Sequence, residues 1–111
     1  MKIETRQQNG TVILDLSGNI RTNEDYTDFK KAIDSASDKA APKIILNFSE
    51  VKFINSSGLG RLVLAAKKIK DNNGSLGIVN LSDDLKELFI FTRLDTKISI
   101  FASEKEAISG V

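Results

Sequence analysis

The sequence predicts an α/β domain with a mixed, mostly parallel sheet of about five strands and four helices, and three observations lead to this prediction. A strong hairpin dipeptide, Asn9-Gly10, separates the first two strand-like stretches. After them, strand-like runs alternate with segments of helical periodicity. Such alternation requires crossover connections, which make neighbouring strands parallel. The predicted order is β-β-α-β-α-β-α-β-α in one domain, residues 1–111.

The first part of the chain predicts a hairpin followed by one helix. Strands at 2–8 and 11–18 would be joined by the Asn-Gly turn. A helix should then begin with Thr22 or Asn23 as its cap, because a side-chain oxygen there can accept a bond from a free backbone N–H. One apolar stripe with helical spacing would face the core, and it consists of Tyr26, Phe29, Ile33 and Ala36.

The rest of the chain predicts three further strand–helix pairs. Residues 43–48 follow Pro42 and are apolar on both faces apart from Asn47, which predicts a strand in the interior of the sheet. A helix at 59–71 should end at Asn72-Asn73-Gly74. The remaining predicted elements are a strand at 75–80, a helix from a Ser82 cap to Phe91, a strand at 97–101 and a short helix opened by the S-x-x-E pattern of Ser103 to Glu106.

The composition argues against several classes of function. The net charge of +1 is too balanced to indicate nucleic acid or an anionic membrane as the main partner. Cysteine and histidine are both absent, which removes disulfides, zinc–sulfur sites and the usual general base near pH 7. We therefore expect no enzyme, no catalytic residue, no cofactor and no metal. Without a signal peptide or an 18-residue apolar run, we expect a cytoplasmic protein that is monomeric when free and does not insert into membranes.

Two adjacent serines, Ser56 and Ser57, stand between the strand ending at Phe48 and the helix predicted from Leu59. At such a junction the first backbone N–H groups are unpaired and the helix dipole is positive, so an anion is favoured. The hydroxyls could cap the helix, or one of them could be a site where phosphate is added and removed. The residues alone leave both interpretations open.

Helical spacing separates the two serines. The side predicted to pack on the sheet carries Leu59, Leu62, Val63, Ala66 and Ile69. The opposite side carries residues at i, i+4, i+7 and i+11, namely Ser57, Arg61, Leu64 and Lys68. This geometry favours Ser57 as the modifiable group and places Ser56 nearer the core in a structural role. Leu64 and its flanking cations are either a partner-binding surface or ordinary surface residues.

Two other interpretations have less support from the residues. Gly58-Leu59-Gly60 begins like the dinucleotide-binding motif G-x-G-x-x-G, but Val63 occupies the third glycine position, so only weak nucleotide binding is left open. A hydrolase would need converging carboxylates. We expect Asp15 on the solvent face of a strand and Glu24 with Asp25 in the first turn of a helix, which provides no such pair.

The chain resembles the STAS domain and, within it, the bacterial anti-sigma factor antagonists. The resemblance covers nearly the whole chain and is carried by the strand end Leu14 to Gly18, the strand Ile44 to Phe48 and the segment Phe53 to Gly60 with its S-S-G-L-G motif. In that family, a kinase that is also the anti-sigma factor phosphorylates the serine just before the glycine, and a phosphatase reverses the reaction. By position, that serine is Ser57 here.

The resemblance implies that the unmodified protein binds an anti-sigma factor with serine kinase activity and that the phosphorylated protein releases it. The residues expected to contact the partner are Asn19, Arg21, Thr22, Asn55, Ser56, Ser57, Gly58, Arg61, Leu64 and Lys68. Asn55 stands where the family typically has aspartate, and Arg21 where an acidic residue is common. The alternative is a STAS interaction module that docks on a transporter or signalling scaffold without being phosphorylated.

Overall fold

The structure, a computed structural model, describes residues 1–111 and confirms the predicted architecture of five strands and four helices. The strands are β1 (Lys2–Gln8), β2 (Thr11–Ser17), β3 (Lys43–Glu50), β4 (Ser75–Val79) and β5 (Ser99–Phe101). The helices are α1 (Asn23–Ala36), α2 (Ser56–Asp71), α3 (Asp83–Phe91) and α4 (Glu104–Gly110). A short 3₁₀ turn, Leu94–Thr96, precedes β5.

The strands lie in the sheet in the order β1-β2-β3-β4-β5. β1 pairs antiparallel with β2, and the other three pairs are parallel. The predicted hairpin is confirmed, because Asn9 (φ 53°) and Gly10 (φ 77°) both adopt the positive φ angles that a tight two-residue turn requires. β3 is the central strand, as its apolar residues on both faces predicted.

The two faces of the sheet are covered unequally. Alternate residues of β2, such as Leu14 and Leu16, enter a large core that includes side chains from α1, α2 and α3. The intervening residue Ile13 belongs instead to a small cluster that includes Ala107 of α4. α1 follows β2 and α2 follows β3, and the two helices pack side by side on the face that carries the large core.

The starting residues of two elements differ from the prediction for local reasons. α2 begins at Ser56 rather than Leu59, because the side chain of Asn55 caps it. β5 begins at Ser99 rather than Lys97, because the backbone N–H groups of Lys97 and Ile98 donate to the carbonyl of Leu94 in the preceding turn (3.0 and 2.9 Å). A backbone N–H group that already donates a hydrogen bond within a turn is not available to pair with a neighbouring strand.

The start of α1 is stabilised by a reciprocal cap. The hydroxyl of Thr22 accepts a hydrogen bond from the Asp25 N–H (3.1 Å), and the Asp25 carboxylate accepts one from the Thr22 N–H (2.9 Å). The same carboxylate accepts from the Arg21 N–H (3.1 Å) and from the Met1 amino group (3.0 Å). The predicted cap is thus confirmed, and all four residues of the predicted stripe of α1 are buried.

The Asp25 carboxylate should make the stability of the fold sensitive to acid. Burial raises the pKa of Asp25, but the hydrogen bonds from Arg21, Met1 and Thr22 outweigh it and hold that pKa well below its usual range. Because the folded-state pKa is depressed, the stabilisation is complete above the unfolded pKa of about 3.9 and is lost as the pH falls through the folded value. We expect Asp25→Asn to lower the free energy of unfolding at pH 7 by about 1–3 kcal/mol.

Urea unfolding of wild type and Asp25→Asn at pH 7 and pH 3 measures this effect. The difference between the two proteins should shrink by about 1 kcal/mol at pH 3, where the unfolded wild-type carboxyl is already largely protonated. A difference that is the same at both pH values would assign the loss to the shape of the cap and not to its charge.

Candidate partner-binding and modification site

The loops that follow β2 and β3 are tied together by hydrogen bonds. The Ile20 N–H donates to the Phe53 carbonyl (3.1 Å), and the Asn55 N–H donates to the Ile20 carbonyl (3.2 Å). The side-chain oxygen of Asn19 accepts from the N–H groups of Lys52 and Phe53 (3.2 and 3.1 Å). Asn19, predicted as a contact residue, therefore braces the loop that carries the serine motif.

Asn55 caps α2 and uses both polar atoms of its amide. Its oxygen accepts hydrogen bonds from the Gly58 N–H and the Tyr26 hydroxyl, each at 2.8 Å. Its nitrogen donates to the Arg21 carbonyl at 3.2 Å. An aspartate at this position would set a second acceptor oxygen against that carbonyl, where the asparagine provides a donor. The local structure thus explains why asparagine suits this position.

The two serines both lie on the surface. Ser57 is exposed, in agreement with the prediction from helical spacing. Ser56 is also exposed, so its predicted place nearer the core is wrong. The physical reason is that Asn55 performs the capping and that Gly58, which is buried, occupies the inward position of the first turn. The first turn of α2 therefore presents two hydroxyls to solvent, and neither caps the helix.

The buried side of α2 is rotated slightly from the prediction. Leu62 and Ile69 are fully buried as expected, but Ala65, which the prediction omitted, is buried with them. The other three predicted residues are only partly buried, although they pack against the core; they are Leu59, Val63 and Ala66. Sequence periodicity indicated which side of α2 faces the sheet. It could not indicate that α1 packs beside α2 and covers Ala65.

The exposed stripe of α2 beyond Ser57, here termed the ridge, consists of Arg61, Leu64 and Lys68. Leu64 is 63% exposed, but both cations are in contact with α1. The Arg61 guanidinium lies 5.1 Å from the centre of the Tyr26 ring. Lys68 pairs with Asp34, which also accepts a bond from Lys30 (2.8 Å). The amines of Lys30 and Lys68 hold the pKa of Asp34 below its usual range.

A shallow groove separates the ridge from α1. It encloses a cavity of about 110 Å³ whose apolar lining comes from Phe29, Ile33, Leu64 and Ala65. Charged side chains from both helices stand around these apolar groups. The ridge and the groove form one continuous surface that begins at Ser57, which is the kind of mixed apolar and charged patch that protein partners use.

Sequence reasoning missed the roles of two aromatic residues at the site. Phe53, on the loop before the motif, is 48% exposed, whereas its neighbour Ile54 is buried by a parallel bridge to Ile20. The apolar run alone gave no sign of which of the two would face outward. Tyr26 was assigned only to the buried stripe of α1, although its hydroxyl connects that helix to the cap of α2. Only the tertiary structure places that hydroxyl beside Asn55.

The carboxylates considered for a hydrolase do not converge. Asp15 lies on the face of the sheet opposite the large core, where it is half-buried and is bound by Arg6 (2.6 Å) and by the Asn47 amide (2.8 Å). Hydrogen bonds from Arg6 and Asn47 lower its pKa despite partial burial. Asp25 is committed to the cap of α1. No set of three or more acidic, histidine or cysteine side chains is arranged to hold a metal ion. None of the helices has both the length and the apolar character needed to cross a membrane.

The electrostatic setting of Ser57 favours an added negative charge. The first turn of α2 contains no acidic residue, and the N-terminal end of a helix carries a partial positive charge. Arg21 on the neighbouring loop and Arg61 on the ridge are both exposed cations. Thr22 is exposed as well, although its hydroxyl is used to cap α1. The predicted contact residues thus lie on the two tied loops and on the outer side of α2, with the exception of Gly58. Its predicted place at the partner surface is wrong, because Gly58 is buried against Ile20 and Ile54.

Comparison with known proteins identifies the family of this chain. The family model of the STAS domain matches residues 2–107. The protein named anti-sigma-B factor antagonist of Bacillus subtilis is 28% identical over 108 residues, which is 97% of this chain and 97% of that protein. The crystal structure of TM1081 from Thermotoga maritima, at 26% identity, superposes with a TM-score of 0.88 and covers 98% of this chain and 93% of that chain.

The Bacillus cell fate determinant SpoIIAA shares the fold. Its unphosphorylated form, an anti-sigma factor antagonist at 22% identity, gives a TM-score of 0.71 over 97% of this chain and 96% of that chain. Its phosphorylated form, at 23% identity, gives a TM-score of 0.70 and covers 97% of this chain and 97% of that chain. The family match spans all five strands and reaches into the last helix, including the serine motif and both loops around it. The chain belongs to the STAS domain family.

Proposed function

We propose that this protein is an anti-sigma factor antagonist that binds an anti-sigma factor when Ser57 is unmodified and releases it when Ser57 is phosphorylated. The observation that carries the proposal is the exposed hydroxyl of Ser57 on the first turn of α2, next to an exposed ridge. Two lines of similarity support it, because a Bacillus relative is named as such an antagonist and SpoIIAA has the same fold in a phosphorylated form.

The domain itself should tolerate a phosphate at Ser57. A phosphoserine adds a charge of about −1.5 to −2 at pH 7. The N-terminus of a 16-residue helix stabilises such a charge, and no acidic side chain in the first turn opposes it. The phosphate should therefore weaken the complex and not the fold, because a dianion would meet a partner surface that fits a neutral hydroxyl.

The partner would contact the surface that begins at the serine motif and continues along the ridge. Leu64 and Phe53 supply its exposed apolar area, and Arg21 stands at its edge. The anti-sigma factor would also be the kinase that transfers phosphate to Ser57. A separate serine phosphatase would remove it and restore binding.

Mass spectrometry tests the site of modification directly. The protein isolated from its native cells should carry one phosphate, located on Ser57 by fragmentation. Incubation with its purified anti-sigma factor and ATP should phosphorylate wild type and Ser56→Ala but not Ser57→Ala. The Ser56→Ala variant is a matched control, since both hydroxyls are exposed on the same turn.

Two outcomes would contradict the proposal in different ways. A phosphate on Ser56 would assign the switch to the other hydroxyl. Tight binding of the anti-sigma factor with no phosphate on either serine would make the protein a STAS module that binds without being phosphorylated.

A further inference from the structure

We infer that Arg61 responds to a phosphate on Ser57 by leaving the Tyr26 ring and pairing with the phosphate, which rearranges the ridge and its groove. The inference rests on the proposed function in assuming that Ser57 is the phosphorylated residue. It adds a residue that transmits the modification to the partner-binding surface.

The position of Arg61 puts it within reach of such a phosphate. Ser57 and Arg61 are four residues apart on one helix, and both are exposed. Residues at this spacing lie on the same side of a helix, one turn apart, and oppositely charged side chains there attract each other. A guanidinium can donate two hydrogen bonds at once to a phosphate, which a lysine amine cannot match in geometry.

The present contacts of Arg61 leave its charge without an anionic partner. Its guanidinium stacks on the Tyr26 ring and forms no salt bridge and no side-chain hydrogen bond. Asp34, which lines the same groove, is already bound by Lys30 and Lys68. An exposed guanidinium over a tyrosine ring is held weakly, whereas a phosphoserine offers three acceptor oxygens and up to two charges. Arg61 should therefore leave the Tyr26 ring and pair with the phosphate.

The movement of Arg61 would change the surface that the partner contacts. Arg61 lines the cavity of about 110 Å³ in the groove, and it also lines a neighbouring cavity of about 430 Å³ that includes Tyr26. Leaving the ring would uncover Tyr26, whose hydroxyl holds the Asn55 cap. A phosphate at one end of the surface would thus remove a cation from its middle and expose an aromatic face there.

The composition of the chain supplies a specific reporter for this movement. Tyr26 is the only tyrosine and there is no tryptophan, so tyrosine emission reports on this ring alone. Side-chain protons of Arg61 that lie over the ring should also show a ring-current shift in the NMR spectrum. Both signals can be followed without any partner protein.

The experiment places phosphoserine at position 57 by genetic encoding, in wild type and in Arg61→Gln, and uses phosphoserine at position 56 as the control. We expect phosphate at 57 to change the Tyr26 emission to the value of unphosphorylated Arg61→Gln and to abolish the ring-current shift of Arg61. Phosphate at 57 should have no further effect on Tyr26 in Arg61→Gln. Phosphate at 56, which is five residues from Arg61, should change either signal by less than half as much.

Tyr26 emission and Arg61 shifts that are unaffected by phosphate at 57 would overturn the inference, as would an equal change in the Arg61→Gln background. The test does not depend on the proposed kinase or partner, because the phosphate is installed during synthesis. A protein that is never phosphorylated in its cells but shows these changes would contradict only the proposed function. A protein that releases its anti-sigma factor on phosphorylation with Tyr26 unchanged would contradict only the role of Arg61.

Discussion

The Ser57→Asp variant is expected to bind the anti-sigma factor at least about 30-fold more weakly than wild type, which corresponds to about 2 kcal/mol. The reason is that a fixed negative charge would be buried against a partner surface that accommodates a neutral hydroxyl. The loss should not come from unfolding, because an acidic residue in the first turn of α2 stabilises that helix by about 0.3–1 kcal/mol. Isothermal titration calorimetry measures the affinity, and urea unfolding measures the stability.

Two variants make the result specific. Ser57→Ala should bind as tightly as wild type, since it removes the site of modification without adding charge. Ser56→Asp puts the same charge on the same exposed turn, about 100° around the helix, and should lose less affinity. Equal losses for Ser56→Asp and Ser57→Asp would mean that the partner responds to charge near the helix end in general. Wild-type affinity in Ser57→Asp would reject the partner switch.

The Gly58→Ala variant should destabilise the fold by about 1–3 kcal/mol, because its new methyl group has no room. An added Cβ would lie 2.6 Å from the Ile54 side chain and 3.0 Å from both the side chain and the carbonyl oxygen of Ile20. Ile20 and Ile54 are buried and form the bridge between the two loops of the site. The substitution should therefore also weaken partner binding, by displacing those loops.

Gly60→Ala is the matched control for this prediction. Gly60 lies in the same helix two residues later, and a Cβ there would meet nothing within 4 Å. The alanine should stabilise the protein by about 0.5–1 kcal/mol, since glycine is a poor helix former. Urea unfolding of both variants gives the comparison. Equal stability of Gly58→Ala and Gly60→Ala would show that the first turn of α2 does not pack as closely on Ile20 and Ile54 as the structure indicates.

Fold prediction from this sequence worked because its signals are local. The Asn9-Gly10 turn, the cap at Thr22 and the caps at Ser82 and Ser103 depend on residues a few positions apart, and all four were confirmed. The central place of β3 followed from its apolar residues on both faces. Helix and strand ends were less accurate. The end of β4 at Val79 and the start of β5 depend on which partner receives each backbone hydrogen bond.

The candidate site was predictable only in part. Helical spacing correctly placed Ser57, Arg61, Leu64 and Lys68 on the exposed side of α2. It wrongly placed Ser56 nearer the core, because the capping residue proved to be Asn55. It also could not show that Arg61 stacks on Tyr26 or that Lys68 pairs with Asp34, since these contacts join residues more than 30 positions apart.

By itself the sequence determined the fold class, the order of the elements and the exposure of one serine at a helix start, because turns, caps and periodicity act over a few neighbouring residues. Only the tertiary structure decided which residue caps that helix, how the two loops are joined and which groups hold the ridge cations. Those properties come from the packing of α1 beside α2 and from the bridge between Ile20 and Ile54. Packing between distant segments depends on three-dimensional fit, which no local pattern encodes.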